Sequence, residues 1–172
     1  MNTTKFALRQ EAAEDFDTVE HLALSVFGAE LPKRAAYHLR LNTPFEPELS
    51  FAVEQQDKIV GTVRVTKVRW GEDVVLMLGP LVVLPDHEGQ GIGRMLMQTS
   101  VSAARDRVKL GEPDCIILVG NLSYYQPFGF ERIEPSRIKM PKPTDPMRIL
   151  ACDLVPGSSL KYHGAARRLD EV

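Results

Sequence analysis

Two stretches of the chain, Val74–Val83 and Cys115–Val119, are almost wholly apolar, and a helical pattern lies between them. A strand that reads as continuous apolar sequence is covered on both faces. Two such strands joined by a helix pair in parallel through a crossover. The sequence before them behaves differently. Leu49–Glu54 and Ile59–Arg69 alternate with a period of two, with Ile59, Gly61, Val63 and Val65 sharing one face. Short turns at Gln56-Asp57-Lys58 and Gly71-Glu72-Asp73 join them to Val74–Val83 as an antiparallel meander. The expected fold is therefore an α/β domain on a mixed sheet. A doubly wound nucleotide fold would alternate strand and helix from the start.

The remaining elements fill in around this unit. Phe6–Arg9 reads as a short strand. A helix follows with Asp15 as its N-cap and Phe16, Val19, Leu22, Ala23, Val26 and Phe27 as its apolar stripe. A second amphipathic piece covers Pro32–Leu41 and is broken by Thr43, Pro44 and Pro47. The crossover helix covers Gly91–Val108 and is closed by Gly111 and Pro113. A short helix, Leu122–Gln126, precedes a strand at Phe130–Ile133. Lys139–Pro146, with three prolines, reads as an irregular loop, Met147–Leu154 as a last strand, and the sequence from Lys161 on as a polar tail. A length of 172 residues fits one domain, 1–172, with a sizeable core.

Composition removes several classes of function. The net charge of −2 leaves no basic excess for nucleic acid. Cys115 and Cys152 have no metal-ligand spacing and lie in apolar runs, as buried free thiols do. Met1–Arg9 has no apolar signal core, and no apolar run approaches the ~20 residues of a membrane span. A cytoplasmic protein without membrane partners is the expectation.

The chemistry is concentrated where the apolar strand ends. Glu88-Gly89-Gln90-Gly91-Ile92-Gly93-Arg94 opens the crossover helix. Glycines at a helix N-terminus present several backbone N–H groups to one point, and the helix dipole adds positive charge there, which suits a phosphate. The spacing is not GxGxxG, and no Lys-Ser/Thr follows the last glycine, so neither the dinucleotide fingerprint nor the P-loop fits.

The order Glu88-Gly89-Gln90-Gly91-Ile92-Gly93 instead resembles the [Q/R]-x-x-G-x-G/A pyrophosphate loop of the GNAT superfamily of acyl-CoA-dependent N-acyltransferases. Val83-Leu84-Pro85-Asp86-His87 resembles the lead into that loop. Tyr125-Gln126-Pro127-Phe128-Gly129-Phe130 resembles the second signature, Y-x-x-x-G-F. Gly79-Pro80-Leu81-Val82-Val83 and Gly120-Asn121-Leu122-Ser123-Tyr124-Tyr125 look most like the bacterial subgroup of predicted N-acetyltransferases that includes YhbS. The matches run from Leu78 to Ile133, about a third of the chain.

The resemblance implies a central mixed sheet whose two parallel strands splay into a V, flanked by helices. Pro80 has no N–H and Gly79 permits a bulge, which suits such a splay. By resemblance, acetyl-CoA is the co-substrate. Its pantetheine arm lies along the backbone of Leu81, Val82 and Val83, and its pyrophosphate on Gly89, Gln90, Gly91, Ile92, Gly93 and Arg94. Asn121, a candidate cap of the short helix, hydrogen-bonds the CoA arm, and Tyr125 protonates the leaving thiolate. Tyr124 reads as a packing residue.

Glu88 departs from the family, which has Gln or Arg there. A carboxylate facing pyrophosphate is repulsive, so Glu88 is expected to face solvent or a base such as Arg94. The general base is not visible; Glu54 and His87 are candidates, and a water chain would serve as well. No His accompanies Cys115 in sequence, which favours direct attack by the amine over an acyl-enzyme.

The function implied is transfer of an acetyl group to a primary amine of a small molecule or peptide. In the family, the acceptor is set by the early helices and late loops, here Phe27–Pro47 and Glu134–Pro146. Many relatives dimerise, so a homodimer is open. A non-catalytic acyl-CoA-binding sensor and a plain nucleotide-binding protein are the alternatives.

Overall fold

The computed structural model describes residues 5–171, so part of the stretch read for a signal core, residues 1–4, lies outside it, as does residue 172. The strands are β1 (Ala7–Gln10), β2 (Phe51–Gln55), β3 (Lys58–Trp70), β4 (Asp73–Val83), β5 (Cys115–Val119), β6 (Phe130–Arg132), β7 (Ile138–Lys139), β8 (Ile149–Asp153) and β9 (Gly164–Arg168). The helices are α1 (Phe16–Phe27), α2 (Ala35–Arg40), α3 (Ile92–Arg107) and α4 (Leu122–Tyr125). Seven strands form one sheet in the order β1-β2-β3-β4-β5-β8-β6, and β9 pairs with both β3 and β7. The β4–β5 pair is parallel and its neighbours in that order are antiparallel, as the mixed-sheet reading requires. No helix among the described residues is long and apolar enough to cross a membrane.

Both faces of the sheet are covered, which is why β4 and β5 read as unbroken apolar runs. On one face Val63, Leu76 and Ile116 pack with Leu96, Met97 and Val101 of α3. On the other, Val75, Met77 and Ile117 join Leu39 of α2, Trp70, Ile149 and Tyr162. Successive residues of one strand thus serve two cores.

Three readings need correction. Asp15 does not cap α1. Its carboxylate reaches back to accept from the Ala12 N–H at 2.8 Å and pairs with Arg9 at 2.6 Å, closing the single 3₁₀ turn, Ala13–Asp15, that precedes α1. Within Pro32–Leu41 only Ala35–Arg40 is α-helical, because Pro32 lies in a 3₁₀ turn, Gly28–Lys33. The sequence from Lys161 on is not only a polar tail but carries a strand. Lys161 and the Tyr162 hydroxyl both bond the Asp114 carboxylate, at 2.6 and 2.5 Å, and Gly164–Arg168 then docks as β9 with Ala166 buried. Its Arg-rich sequence hides a strand that pairs through its backbone, buries Ala166 and donates from Arg167 to the Gly71 carbonyl.

Candidate active site

β4 and β5 stay in register over only two pairs, Leu76↔Ile116 and Met77↔Ile117. The reason is local to β4. Val65 of β3 faces Leu78 and Val63 faces Leu81, so Gly79 and Pro80 together oppose the single residue Arg64. That is a β-bulge, which bends its strand. Pro80 offers no N–H there, and Gly79 takes φ +138°, which side chains of L-residues rarely adopt. The bulge expected at Gly79-Pro80 is therefore present.

Beyond it the two strands leave polar edges without partners. The Leu84 N–H donates to the Val60 carbonyl at 2.9 Å. Alternation along an antiparallel ladder then points Val82 at β3, and the N–H and C=O of Leu81 and Val83 away from it, toward the gap. On the opposite side Gly120 donates to the Arg148 carbonyl at 2.8 Å, which by the same alternation turns Val119 toward β4. Of the three residues read from sequence as backbone partners, Leu81 and Val83 turn their backbone groups away from β3, and of the three only Leu81 lines the cavity in the gap. Val82 is committed to β3, and its side chain is buried with Ala23 and Leu31.

A cavity of about 720 Å³ occupies the gap. Gly79, Pro80 and Leu81 line one wall and Val119, Gly120, Asn121, Tyr124 and Tyr125 another. Glu88 lines it as well, exposed and with no ion pair to Arg94.

The glycine loop leads into α3. Gly91 is the N-cap in a left-handed conformation, φ +82°, and no side chain caps the helix. The first helical bond is Met95 N–H to Gly91 C=O, 3.0 Å. The N–H groups of Ile92, Gly93 and Arg94 precede it and have no intrahelical acceptor. Ile92 contributes backbone only, since its side chain is core. The Gln90 side chain turns back to the Asp86 carbonyl at 3.5 Å, and Arg94 is exposed.

Tyr124 and Tyr125 join the loop to the cleft. The Tyr124 hydroxyl lies so close to Gly93 that a Cβ there would be 2.5 Å from it. A side chain at 93 would therefore have to displace the Tyr124 hydroxyl. Tyr125 lies over Gly120 in the same way, with a Cβ at 120 falling 2.3 Å from the ring. The Tyr125 ring also meets Tyr124 edge-on at 4.8 Å and Phe130 at 5.9 Å. Burial pushes the Tyr125 phenol up to about 12, against a smaller opposing effect of Arg148. The group is therefore held protonated at neutral pH. Asn121 is the N-cap of α4, yet its side chain makes no capping bond, and the residue lines the cavity.

The candidate bases are placed elsewhere. Glu54 bonds Arg9 at 2.8 Å, and His87 bonds Gln55 at 2.8 Å, and neither lines the cavity. Cys115 and Cys152 are buried, and burial raises both thiols, Cys152 to about 11. Neither is available as a thiolate.

Sequence reasoning missed the residues on the far wall: Arg34, Tyr37 and Arg40 from the α2 region, and Thr144, Asp145 and Arg148 from the proline-rich loop and its end. These segments were marked only as a whole, because their residues lack a periodic or motif signal. Behind them lies a buried ion network. Arg64, opposite the bulge, donates to Glu11 at 2.6 Å and to Glu20, and Arg40 donates to the same Glu20 oxygen at 3.1 Å. Tyr37 and Arg40 also line a second cavity of about 440 Å³, with Phe16, Phe45, Arg64 and Thr66.

Residues 12–130 match the Acetyltransferase (GNAT) family. The chain is 26% identical over 135 residues to the uncharacterized N-acetyltransferase YjhQ of Escherichia coli (strain K12), covering 76% of this chain and 72% of that protein. Its fold is similar to the crystal structure of the GNAT family N-acetyltransferase YhbS from Escherichia coli in complex with CoA, with a TM-score of 0.74, 20% identity, and 95% and 89% of the two chains covered. A GNAT family acetyltransferase from Brucella melitensis in complex with acetyl-CoA aligns at a TM-score of 0.57, 22% identity, over 88% of this chain and 89% of that one. The bulged β4, the parting of β4 from β5 and the uncapped glycine turn before α3 all lie inside the matched region, and the chain belongs to the GNAT acetyltransferase family.

Proposed function

We propose that the chain, as a single domain over residues 1–172, transfers an acetyl group from acetyl-CoA to a primary amine by direct attack. The observation that carries this reading is the open edge between β4 and β5, which ends at the uncapped N-terminus of α3. An extended pantetheine arm would pair with Leu81 and Val83 on one side, with Asn121 within the same cavity. The pyrophosphate would accept from the N–H groups of residues 89–94, where glycine lets it approach and the helix end favours negative charge. CoA in the YhbS crystal and acetyl-CoA in the Brucella protein support the choice of ligand.

In the reaction, the neutral amine nitrogen forms a bond to the thioester carbonyl carbon, and the carbon–sulfur bond breaks. The thiolate takes the Tyr125 hydroxyl proton, and the proton shed by nitrogen returns through water to the phenolate. Burial keeps the phenol loaded with its proton when the thiolate leaves, while its rise to about 12 makes it a weaker donor than a free phenol. With Glu54 and His87 held elsewhere, water is left to accept the amine's proton.

The test is acetyl-CoA-dependent thiol release across a panel of primary amines, together with calorimetric binding of acetyl-CoA. Tyr125→Phe should lower kcat by about 10² or more, as loss of a general acid does, while acetyl-CoA affinity holds. Binding without turnover on any amine would instead favour an acyl-CoA sensor.

A further inference from the structure

Tyr124 is placed unlike a packing residue. It lines the cleft between β4 and β5 beside Tyr125, yet 42% of it is exposed. Its hydroxyl reaches the first turn of α3. A Cβ built on Gly93 would fall 2.5 Å from that oxygen and 3.8 Å from Val83 Cγ2. The ring itself is held. Tyr125 meets it edge-on at 4.8 Å, and Phe128 lies tilted against it at 5.8 Å. Such contacts fix an aromatic side chain before any ligand arrives, so the hydroxyl is already set at the helix end.

The oxygen stands among donors. The N–H groups of Ile92, Gly93 and Arg94 have no intrahelical acceptor. No side chain caps α3, so the Tyr124 oxygen does not fill that place. Arg94 is exposed and forms no ion pair among the described residues. Its charge acts on the Tyr124 phenol, but partial burial outweighs it and raises the phenol, which keeps its proton at neutral pH. The hydroxyl makes no hydrogen bond among the described residues, not even to Glu88 on the same cavity wall. A free O–H beside open N–H groups, at the positive end of a helix, suits a ligand with several acceptor oxygens. The direction of approach fits a diphosphate. The glycine loop follows β4 and α4 follows β5, so the two elements reach one point from opposite sides of the cleft.

We propose that the Tyr124 hydroxyl donates to the pyrophosphate of coenzyme A, closing the glycine loop's site from the β5 side. The proposal rests on the acetyl-CoA reading and adds a side chain to a site otherwise built from backbone. It divides the two adjacent tyrosines by task. Tyr125 serves the leaving thiolate, and Tyr124 holds the phosphates and takes no part in the chemical step.

The test is binding, so it needs no acceptor. Tyr124→Phe keeps the ring and its contacts and removes only the hydroxyl. CoA is titrated calorimetrically into the wild-type protein and into the variant. Adenosine 3′-phosphate 5′-diphosphate, which carries the diphosphate without the pantetheine arm, is then measured on both by competition with CoA. Loss of one charge-assisted hydrogen bond should weaken both ligands by the same factor, about tenfold. CoA affinity within about twofold of wild type would overturn the proposal. A loss confined to CoA would overturn it too, because the hydroxyl would then serve the arm or the thioester end. Failure of the wild-type protein to bind CoA at all would instead remove the acetyl-CoA reading on which the proposal stands.

Discussion

Gly120→Ala probes the proposed mechanism without touching a reactive group. The backbone at 120 does not need glycine for its φ, but a Cβ there would lie 2.3 Å from Tyr125 Cε2 and 2.9 Å from Cδ2. Carbon atoms in contact stay ~3.5 Å apart, so the ring must move by roughly 1.2 Å. A displacement of about 1 Å in a reacting group costs about 10² in rate, or about 2.7 kcal/mol of barrier. The variant should therefore lose about 100-fold in kcat at saturating acetyl-CoA, measured by thiol release with the best acceptor of the panel. The decisive measurement is the double-mutant cycle with Tyr125→Phe. If the loss comes from moving the hydroxyl, Gly120→Ala should cost less than about threefold once that hydroxyl is gone, because the two effects share one group. Wild-type turnover in Gly120→Ala, or the same 100-fold loss in the Tyr125→Phe background, would refute the role given to this hydroxyl.

Two further outcomes follow from groups already placed. The Tyr125 phenol, raised to about 12, stays protonated through the alkaline range, so kcat/KM should rise with pH as the acceptor amine deprotonates and should not turn down near pH 10, where a free phenol is half ionised. A descending limb centred near 10 would contradict the raised value; the same shift favours the folded state below pH 10, and that contribution is lost as pH climbs toward 12. Glu11→Ala strips a buried partner from Arg64, whose side chain is 3% exposed, and should cost about 3 kcal/mol in urea unfolding, near the lower end for breaking a buried pair because Glu20 remains. A loss below about 1 kcal/mol would mean that the network contributes little.

What the sequence made legible was what repeats or punctuates. Cys115–Val119 matched its strand at both ends, because an apolar run bounded by Asp114 and Gly120 has nowhere else to begin or stop. The bulge was readable from two residues, since a proline inside a strand must interrupt a ladder. Other features were hidden for physical reasons. β9 pairs through its backbone, and the arginines that supply its side chains say nothing of sheet. Val82 looked equivalent to Leu81 and Val83, and only the register shows that its polar groups face β3. The far wall of the cavity comes from α2 and the loop before β8, brought together by folds of the chain that no local pattern encodes. Tyr124 looked like packing beside Tyr125, and only the fold sets its hydroxyl against Gly93.

The docking of β9 carries a consequence for how this protein is made. Val68, Arg69 and Trp70 pair with Arg168, Arg167 and Ala166, partners about a hundred residues later in the chain. During synthesis the meander can close early, but this end of β3 keeps a bare edge until residues 164–168 have been made. Contacts so distant in sequence form slowly, and an open edge beside buried apolar side chains invites pairing with another nascent chain. A ribosome that stalls or a protease that cuts just before residue 164 would leave a fragment containing every residue proposed for chemistry, yet prone to aggregate.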